Sequence, residues 1–474
     1  MVTYSMAEVL AGTGGSLRGE LPGETRFPAI ARDSREVRDG DLYWAIVGER
    51  LDGHAFAGAA VEAGAAAAVV TRTDLEGVPE AFPLIVVDDT IAALQRFAAW
   101  KRDRMHADVI GITGSVGKTS AKESIAAVLS EQGAVHRSRG NFNNEIGLPL
   151  SILDALDDVD YLVLEMGGAY AFGELTQLSG IARPRVGVVT NIFPVHLERM
   201  GTIEAIAETK AELIDALPAD GIAVLNGDDH RVRAMASRTN ARVITYGLGD
   251  DVDVRASRVV SDGLKGTTFW LEIDGQRHQV RVPLVGAHGV QIALVALAVG
   301  HAYGMHIAEM LVGLRSPGVQ VRLVFERGPG GAQIIDDTYN ASTPSVLAAL
   351  DVLRDVPARR HIAVLGEMRE LGQVSDDEHR IVGRRAGDLV DMLYTYGDLA
   401  EPLAEAARTT AREGRPPLDV RSFSVDAKAE LIASLQDELR SGDVVLIKGS
   451  RGLEMEDVVA ALRQRPDDAE ETGA

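Results

Sequence analysis

Residues 111–120 read Gly-Ile-Thr-Gly-Ser-Val-Gly-Lys-Thr-Ser, and this stretch constrains the fold more than any other in the chain. It follows the apolar pair Val109-Ile110 and leads into a helical pattern from Ala121 to Leu129. A strand, a glycine-bearing loop and a helix in that order form a cradle for phosphate. Glycines let the backbone turn tightly enough to aim several N–H groups at one anion. The helix N-terminus behind them favours negative charge. Gly114, Ser115, Gly117 and Ser120 build the loop and the helix start. Lys118 adds a mobile positive charge, and Thr119 offers a hydroxyl to Mg²⁺. The strict phosphate-loop pattern has Gly where Ile112 stands; Gly111 is one position early and Gly114 lies mid-loop. The bland alternative is a glycine-rich turn with a lysine on a surface helix.

A chain of 474 residues suggests three domains. The first, 1–106, alternates short apolar runs (Leu42 to Val47, Ala67 to Val70, Leu84 to Val87) with alanine-rich helical stretches, and leaves through a helix from Thr90 to Arg104. The second, 107–316, carries the phosphate loop. Strands are expected there at Tyr161 to Leu164, Val186 to Thr190, Ile222 to Leu225 and Val243 to Tyr246, with a helix from Ile203 to Leu217. This alternation predicts a mostly parallel sheet covered on both faces. Val252 to Val285 reads as short β segments turning at Asp262-Gly263 and Asp274-Gly275, and a helix from Val290 to Tyr303 closes the region. The third, 317–474, has strands at Gln333 to Ile335, Ile362 to Leu365, Met392 to Tyr394 and Val444 to Ile447, a second doubly wound, Rossmann-like sheet. Its end, Arg463 to Ala474, is polar and acidic and reads as disordered. The fold class is therefore α/β throughout, with a small N-terminal α/β domain.

The formal charge of −22 argues against a nucleic-acid binder. Cysteine is absent, which excludes disulfides, thiolate metal sites and cysteine nucleophiles. No basic, apolar leader opens the chain and no run is long enough to span a bilayer, so a cytoplasmic protein without membrane insertion is expected.

Other residues fall where chemistry is expected. Glu165 follows an expected strand and precedes Met166-Gly167-Gly168; an acid at the carboxyl end of a neighbouring strand faces bound phosphate and can hold Mg²⁺. Asn191 and His196 follow the next strand. Lys210 sits among Glu204, Glu208 and Glu212, which by spacing alone reads as an exposed, salt-bridged helix face. Asn141-Phe142-Asn143-Asn144-Glu145-Ile146-Gly147 is either a polar turn or a set of amides for a sugar or peptide. Asp336-Asp337-Thr338-Tyr339-Asn340 follows a strand of the third domain, as a ribose-binding acid or as a helix cap. Arg322 stands where an arginine could reach a γ-phosphate across a cleft.

In this order the motifs resemble the Mur ligase family, ATP-dependent amide ligases that build the peptide stem of peptidoglycan. The family loop is close to Thr-Gly-Thr-x-Gly-Lys-Thr, and Thr113 to Thr119 follows it with Ser115 substituted. Asn141 to Gly147, Glu165-Met166-Gly167, His196-Leu197-Glu198, Asp336 to Asn340 and Gly366-Glu367-Met368-Arg369-Glu370-Leu371-Gly372 are most similar to members that join D-alanyl-D-alanine to UDP-N-acetylmuramoyl-tripeptide. Asp33-Ser34-Arg35 and Asp52-Gly53-His54 are shared with the ligase one step earlier, whose Asp-Asn-Pro-Arg motif is missing.

The resemblance implies ATP and two Mg²⁺ ions. Gly114, Ser115, Gly117, Lys118, Thr119, Ser120, Arg322, Asp337 and Asn340 would contact ATP; Thr119 would touch the first metal; Glu165, His196 and a carbamylated Lys210 would hold the second. Lys118, Glu165, His196, Lys210 and Arg322 would be the catalytic set. Ser34, Asn141 and Asn144 would bind the UDP-linked substrate, and the protein would be a monomer. Three departures stand out. The family's His-Asn-x-x-Asn, whose asparagines approach adenine, is His288-Gly289-Val290-Gln291-Ile292 here. Ser342-Thr343 replaces an Asn-Pro or Ser-Pro, and Val321 a Gly. Three readings stay open at this point: an active ligase, a ligase-fold binding protein with weakened ATP use, and a ligase with another amine substrate.

Overall fold

The computed structural model describes residues 2–463 apart from 49, 50, 169, 170, 196, 317, 320–322, 413 and 415. His196, Arg322, Val321 and the tail from 464 onward therefore lie outside the described residues.

The centre is a nine-stranded sheet in the order Gln276–Val282, Thr267–Ile273, Val254–Ser261, Arg242–Gly247, Ile222–Asn226, Val186–Val189, Asp108–Thr113, Tyr161–Glu165, Val135–Arg137. Neighbours are parallel from Val135–Arg137 through Val254–Ser261. The last two pairings are antiparallel, with Asp274 and Gly275 both at positive φ in the connecting turn. The phosphate-loop strand Asp108–Thr113 lies between Tyr161–Glu165 and Val186–Val189, where the strand order reverses. A crevice opens at the carboxyl end of a parallel sheet at such a point.

The C-terminal sheet runs Val324–Arg327, Gln333–Asp336, Asp443–Lys448, Arg360–Gly366, Met392–Tyr396, Asp419–Phe423, parallel except for its first pair. The N-terminal sheet runs Ser16–Arg18, Leu84–Val86, Ala67–Val70, Leu42–Trp44, Ile30–Ala31. Asp89 caps the helix Thr90–Arg102 by accepting the N–H groups of Ile91 (2.8 Å) and Ala92 (2.9 Å), and Lys101 and Arg102 close its last turn. Phe97 from this helix packs in one continuous core with Trp44 of the first sheet and Val109, Leu162 and Leu164 of the central one. The other face of the central sheet buries Ile125, Val128 and Leu129 against the helix Gly286–Ala302.

Several elements differ from expectation. Glu165 is the last residue of its strand rather than the first after it. The long helix begins at Gly286, not Val290. A Cβ on Gly289 would meet the Leu284 carbonyl carbon at 2.9 Å, so the helix start is clamped on that backbone by a glycine that propensity alone disfavours.

Lys448 and Asp337 form a buried ion pair at the ends of adjacent C-terminal strands, with Nζ 2.6 Å from Asp337 Oδ2 and 2.7 Å from the Asn340 carbonyl. The pair fixes the segment 337–340. Lys448→Met would strand a buried carboxylate and lower stability by roughly 3–5 kcal/mol, and Lys448→Met with Asp337→Leu would recover most of it. Urea denaturation followed by circular dichroism measures both; equal midpoints for wild type and Lys448→Met would refute the account.

Candidate active site

The phosphate loop is braced from the neighbouring strand end. Asn191 accepts the Val116 N–H at 2.8 Å and donates to the Val116 carbonyl at 2.9 Å. The Ser115 hydroxyl takes the Phe193 N–H at 2.9 Å and donates to the Phe193 carbonyl. Ser115, the substituted position, therefore anchors the loop through its side chain. Gly114 has a φ of +138°, and a Cβ there would fall 2.1 Å from Thr190 Oγ1, so only glycine fits. Lys118 opens the helix Lys118–Leu129 and lays its Nζ against the Gly114 carbonyl at 2.7 Å.

Thr119 donates its hydroxyl to Glu165 Oε2 at 2.9 Å, and Asn143 donates to Glu165 Oε1 at 2.9 Å. Two segments far apart in sequence thus meet on one buried carboxylate. Lys122, one turn into the helix and fully buried, donates to the carbonyls of Ser138 (2.7 Å) and Gly140 (2.9 Å) and so holds the start of the asparagine loop. Thr202 caps the helix Ile203–Asp215, which carries Lys210 on its inner face. Lys210 is 2% exposed, and its Nζ donates to the carbonyls of Gly167 and Gly168, the latter at 2.6 Å. Spacing alone placed Lys210 on a solvated face; the structure overturns that. Glu208 and Glu212 do form outward contacts, with Arg238 and with the N–H groups of Gly173 and Thr176. Burial, with the nearby Lys118 charge, holds the Lys210 ammonium well below its ordinary value.

These groups line a cavity of about 520 Å³ between the central and C-terminal sheets. Lys118, Thr119, Asn141, Asn143, Glu165 and Lys210 form one side. Asn340, Ser345, Arg369, Ser450 and Arg451 form the other, each from a segment that follows the carboxyl end of a C-terminal strand. Gly372 packs on Glu198, where a Cβ would meet the backbone at 3.4 Å, so the two sides touch at the rim.

Not every expected residue faces this space. Asp337 is turned to Lys448, and Asn340 lines the cavity while its Oδ1 accepts the Ala341 N–H. Asn144 folds back on its own chain, its Oδ1 accepting the Gly147 N–H at 2.9 Å, and does not line the cavity. Ser120 is buried behind the loop. Ser34 lies beside Arg32, whose guanidinium sits 4.9 Å over the Phe142 ring and brings the first domain against the asparagine loop. Asn143, Glu174, Arg369, Ser450 and Arg451 line the cavity without having been singled out as site residues. Asn143 and Arg369 stood inside motifs already quoted; nothing local marks Glu174, Ser450 or Arg451.

The donor set fits a hard cation. Thr119 and Glu165 offer oxygen at the phosphate loop, and among the described residues no cluster of three His, Cys, Asp or Glu builds an all-protein cage. Mg²⁺ is held in this manner, by one or two protein oxygens together with phosphate and water.

Comparison with known proteins agrees with the architecture. "Mur ligase family, catalytic domain" matches residues 27–102, "Mur ligase middle domain" residues 112–300, and "Mur ligase, glutamate ligase domain" residues 321–451. The UDP-N-acetylmuramoyl-tripeptide--D-alanyl-D-alanine ligase of Bacillus subtilis (strain 168) is 35% identical, over 98% of this chain and 98% of that protein. The Escherichia coli (strain K12) enzyme of the same name is 33% identical, over 94% and 96%. Among solved structures, MurF from Acinetobacter baumannii superposes with a TM-score of 0.84 at 29% identity, covering 97% of this chain and 98% of that one. MurF ligase from Thermotoga maritima in complex with ADP gives 0.76 at 30% identity, covering 91% and 96%. With the fold, the phosphate loop and relatives matched along almost the whole length, the chain belongs to the Mur ligase family.

Proposed function

We propose that this protein joins D-alanyl-D-alanine to a UDP-N-acetylmuramoyl-tripeptide at the expense of ATP, in the synthesis of peptidoglycan precursors. The observation that carries the reading is the single cavity in which Lys118, Thr119, Glu165 and Lys210 meet Asn340, Arg369 and Ser450 across two sheets. The relatives that match the chain from end to end bear that activity in their names.

In the reaction proposed, a carboxylate oxygen of the tripeptide attacks the γ-phosphorus of ATP, the bond to the ADP oxygen breaks, and an acyl phosphate results. The amine of the dipeptide adds to the acyl carbon, inorganic phosphate leaves with the former carboxylate oxygen, and the amine proton is released. Lys118 and the backbone N–H groups of the loop meet the charge on the phosphates. Arg369 and Arg451 supply positive charge on the opposite wall, where the dipeptide carboxylate and the leaving phosphate need it. The contact of Gly372 with Glu198 joins the two sides at the rim, and closure of the cleft there would keep water from the acyl phosphate.

Magnesium would be held by Thr119 and Glu165, with His196 and a carbamylated Lys210 as the further ligands that family resemblance supplies; when bound it neutralises phosphate charge. Asn141 and the Ser34 loop would receive the UDP-linked substrate, with 1–106, 107–316 and 317–474 as the three domains and Arg322 reaching ATP from the third. Lys448 would position Asp337 and Asn340 on the ATP side. The protein would work in the cytoplasm; among the described residues no helix is long and apolar enough to cross a membrane.

The test is product formation. Purified protein with ATP, Mg²⁺, the UDP-linked tripeptide and D-alanyl-D-alanine should release ADP and yield a UDP-linked product heavier by the dipeptide less one water. ADP release that ignores the dipeptide, with no such product, would reject the reading. A panel of other amines under the same conditions separates a ligase of different specificity.

A further inference from the structure

Glu165 is held at both carboxylate oxygens and at its backbone. Thr119 donates to Oε2 and Asn143 to Oε1, each at 2.9 Å, and the Glu165 N–H donates to Ser138 Oγ at 3.2 Å. Ser138 and Asn143 bound one stretch, 138–143, which leaves the edge strand Val135–Arg137 and is neither helix nor strand itself. Backbone bonds tie its two ends. The Ser138 N–H donates to the Val163 carbonyl at 3.1 Å, and the Asn143 carbonyl accepts the Gly167 N–H at 2.7 Å.

Lys122 holds the part between. It is fully buried, donates to the Ser138 and Gly140 carbonyls at 2.7 and 2.9 Å, and lies 3.2 Å from Glu123 Oε1. A lysine ammonium has three N–H donors, and all three are matched here. Burying such a group is costly where an apolar side chain would pack as well. Its two carbonyl partners both belong to the stretch that carries Asn143. Thr119 and Lys122 stand three residues apart on the helix Lys118–Leu129 and so share a face. One helix therefore governs both oxygens of Glu165: Oε2 directly through Thr119, and Oε1 through Lys122, the loop and Asn143.

We propose that Lys122 is a positioning residue that fixes the stretch 138–143 and, through Asn143, aims the Glu165 carboxylate at a magnesium ion on the phosphate loop. The proposal rests on the reading of Thr119 and Glu165 as magnesium donors and concerns what orients the carboxylate. Groups behind a metal ligand set its direction, and losing one lowers metal affinity by about 10- to 100-fold.

Calorimetry of ADP binding to the full chain, with Mg²⁺ and with EDTA, tests it without turnover. Magnesium should strengthen ADP binding to the wild type. Lys122→Met keeps the length of the side chain without its donors. It should weaken ADP binding by about ten-fold with magnesium and by less than about two-fold in EDTA. Asn143→Ala should show the same split. In a Glu165→Gln background, Lys122→Met should add less than about two-fold, because its effect runs through that carboxylate. A general loosening of the fold would instead lower both affinities and add to Glu165→Gln. Equal losses with and without magnesium in Lys122→Met, or no loss in either condition, overturn the proposal. If that variant does not fold, a wild-type response to magnesium in Asn143→Ala overturns it instead. A wild type whose ADP affinity ignores magnesium overturns the cation reading, and this proposal with it; a wild type that responds while both variants respond equally overturns only this one.

Discussion

Lys118→Ala is expected to lower kcat for ADP release by roughly 10²–10³-fold while leaving the fold intact. The magnitude is that of removing one preorganised group from developing transition-state charge. The fold survives because the loop does not depend on the ammonium. Asn191, Ser115 and Thr190 tie Val116 and Phe193 in place, and the Lys118 side chain rests on the carbonyls of Gly114 and Ser115. Circular dichroism and thermal melting should match the wild type, and nucleotide affinity should fall together with the rate. Wild-type turnover in this variant would remove the phosphate loop from the mechanism.

Lys210→Met is the second large effect, a loss on the order of 10²-fold or more in kcat. The side chain is enclosed, its Nζ donates to two backbone carbonyls, and burial together with Lys118 depresses its basicity. A depressed basicity favours the neutral amine, whose lone pair can add to carbon dioxide, giving a carbamate and a proton. The residue then carries a negative charge instead of a positive one. Protein equilibrated with ¹³C-bicarbonate should show a carbamate carbon resonance that Lys210→Met lacks. Methionine keeps the length and apolar stem, so the helix Ile203–Asp215 should remain folded. An unlabelled wild type with full activity would eliminate the carbamate and leave Lys210 as a brace for Gly167 and Gly168.

The phosphate loop and both parallel sheets were legible because central strands are continuous apolar runs and the loop is a local motif. Several edge strands were not. Val135–Arg137, Val324–Arg327 and Asp419–Phe423 are short and partly exposed, so they carry polar residues and no apolar signature. The helix Gly147–Leu153 is buried on every side and therefore has no amphipathic period to find. Lys210 illustrates the limit most clearly. Its glutamate neighbours have the spacing of a solvated face, and only its hydrogen bonds to the Gly167 and Gly168 carbonyls reveal that this lysine turns inward. Asp337 and Asn144 differ in the opposite sense: polar residues at loop positions, they bond Lys448 and the Gly147 N–H within the chain. Residue type and position indicated that such groups bond something, but not whether the partner belonged to the chain.

The buried seam between the first sheet and the underside of the central one restricts how this enzyme could be taken apart. Phe97, Trp44, Val109, Leu162 and Leu164 share a single interior. Excising everything before Asp108 would bare the apolar reverse of the catalytic sheet, and the remnant would clump rather than work as a stand-alone nucleotide-hydrolysing core. The first domain is therefore no interchangeable cassette. Grafting a foreign one would demand that the join be repacked residue by residue.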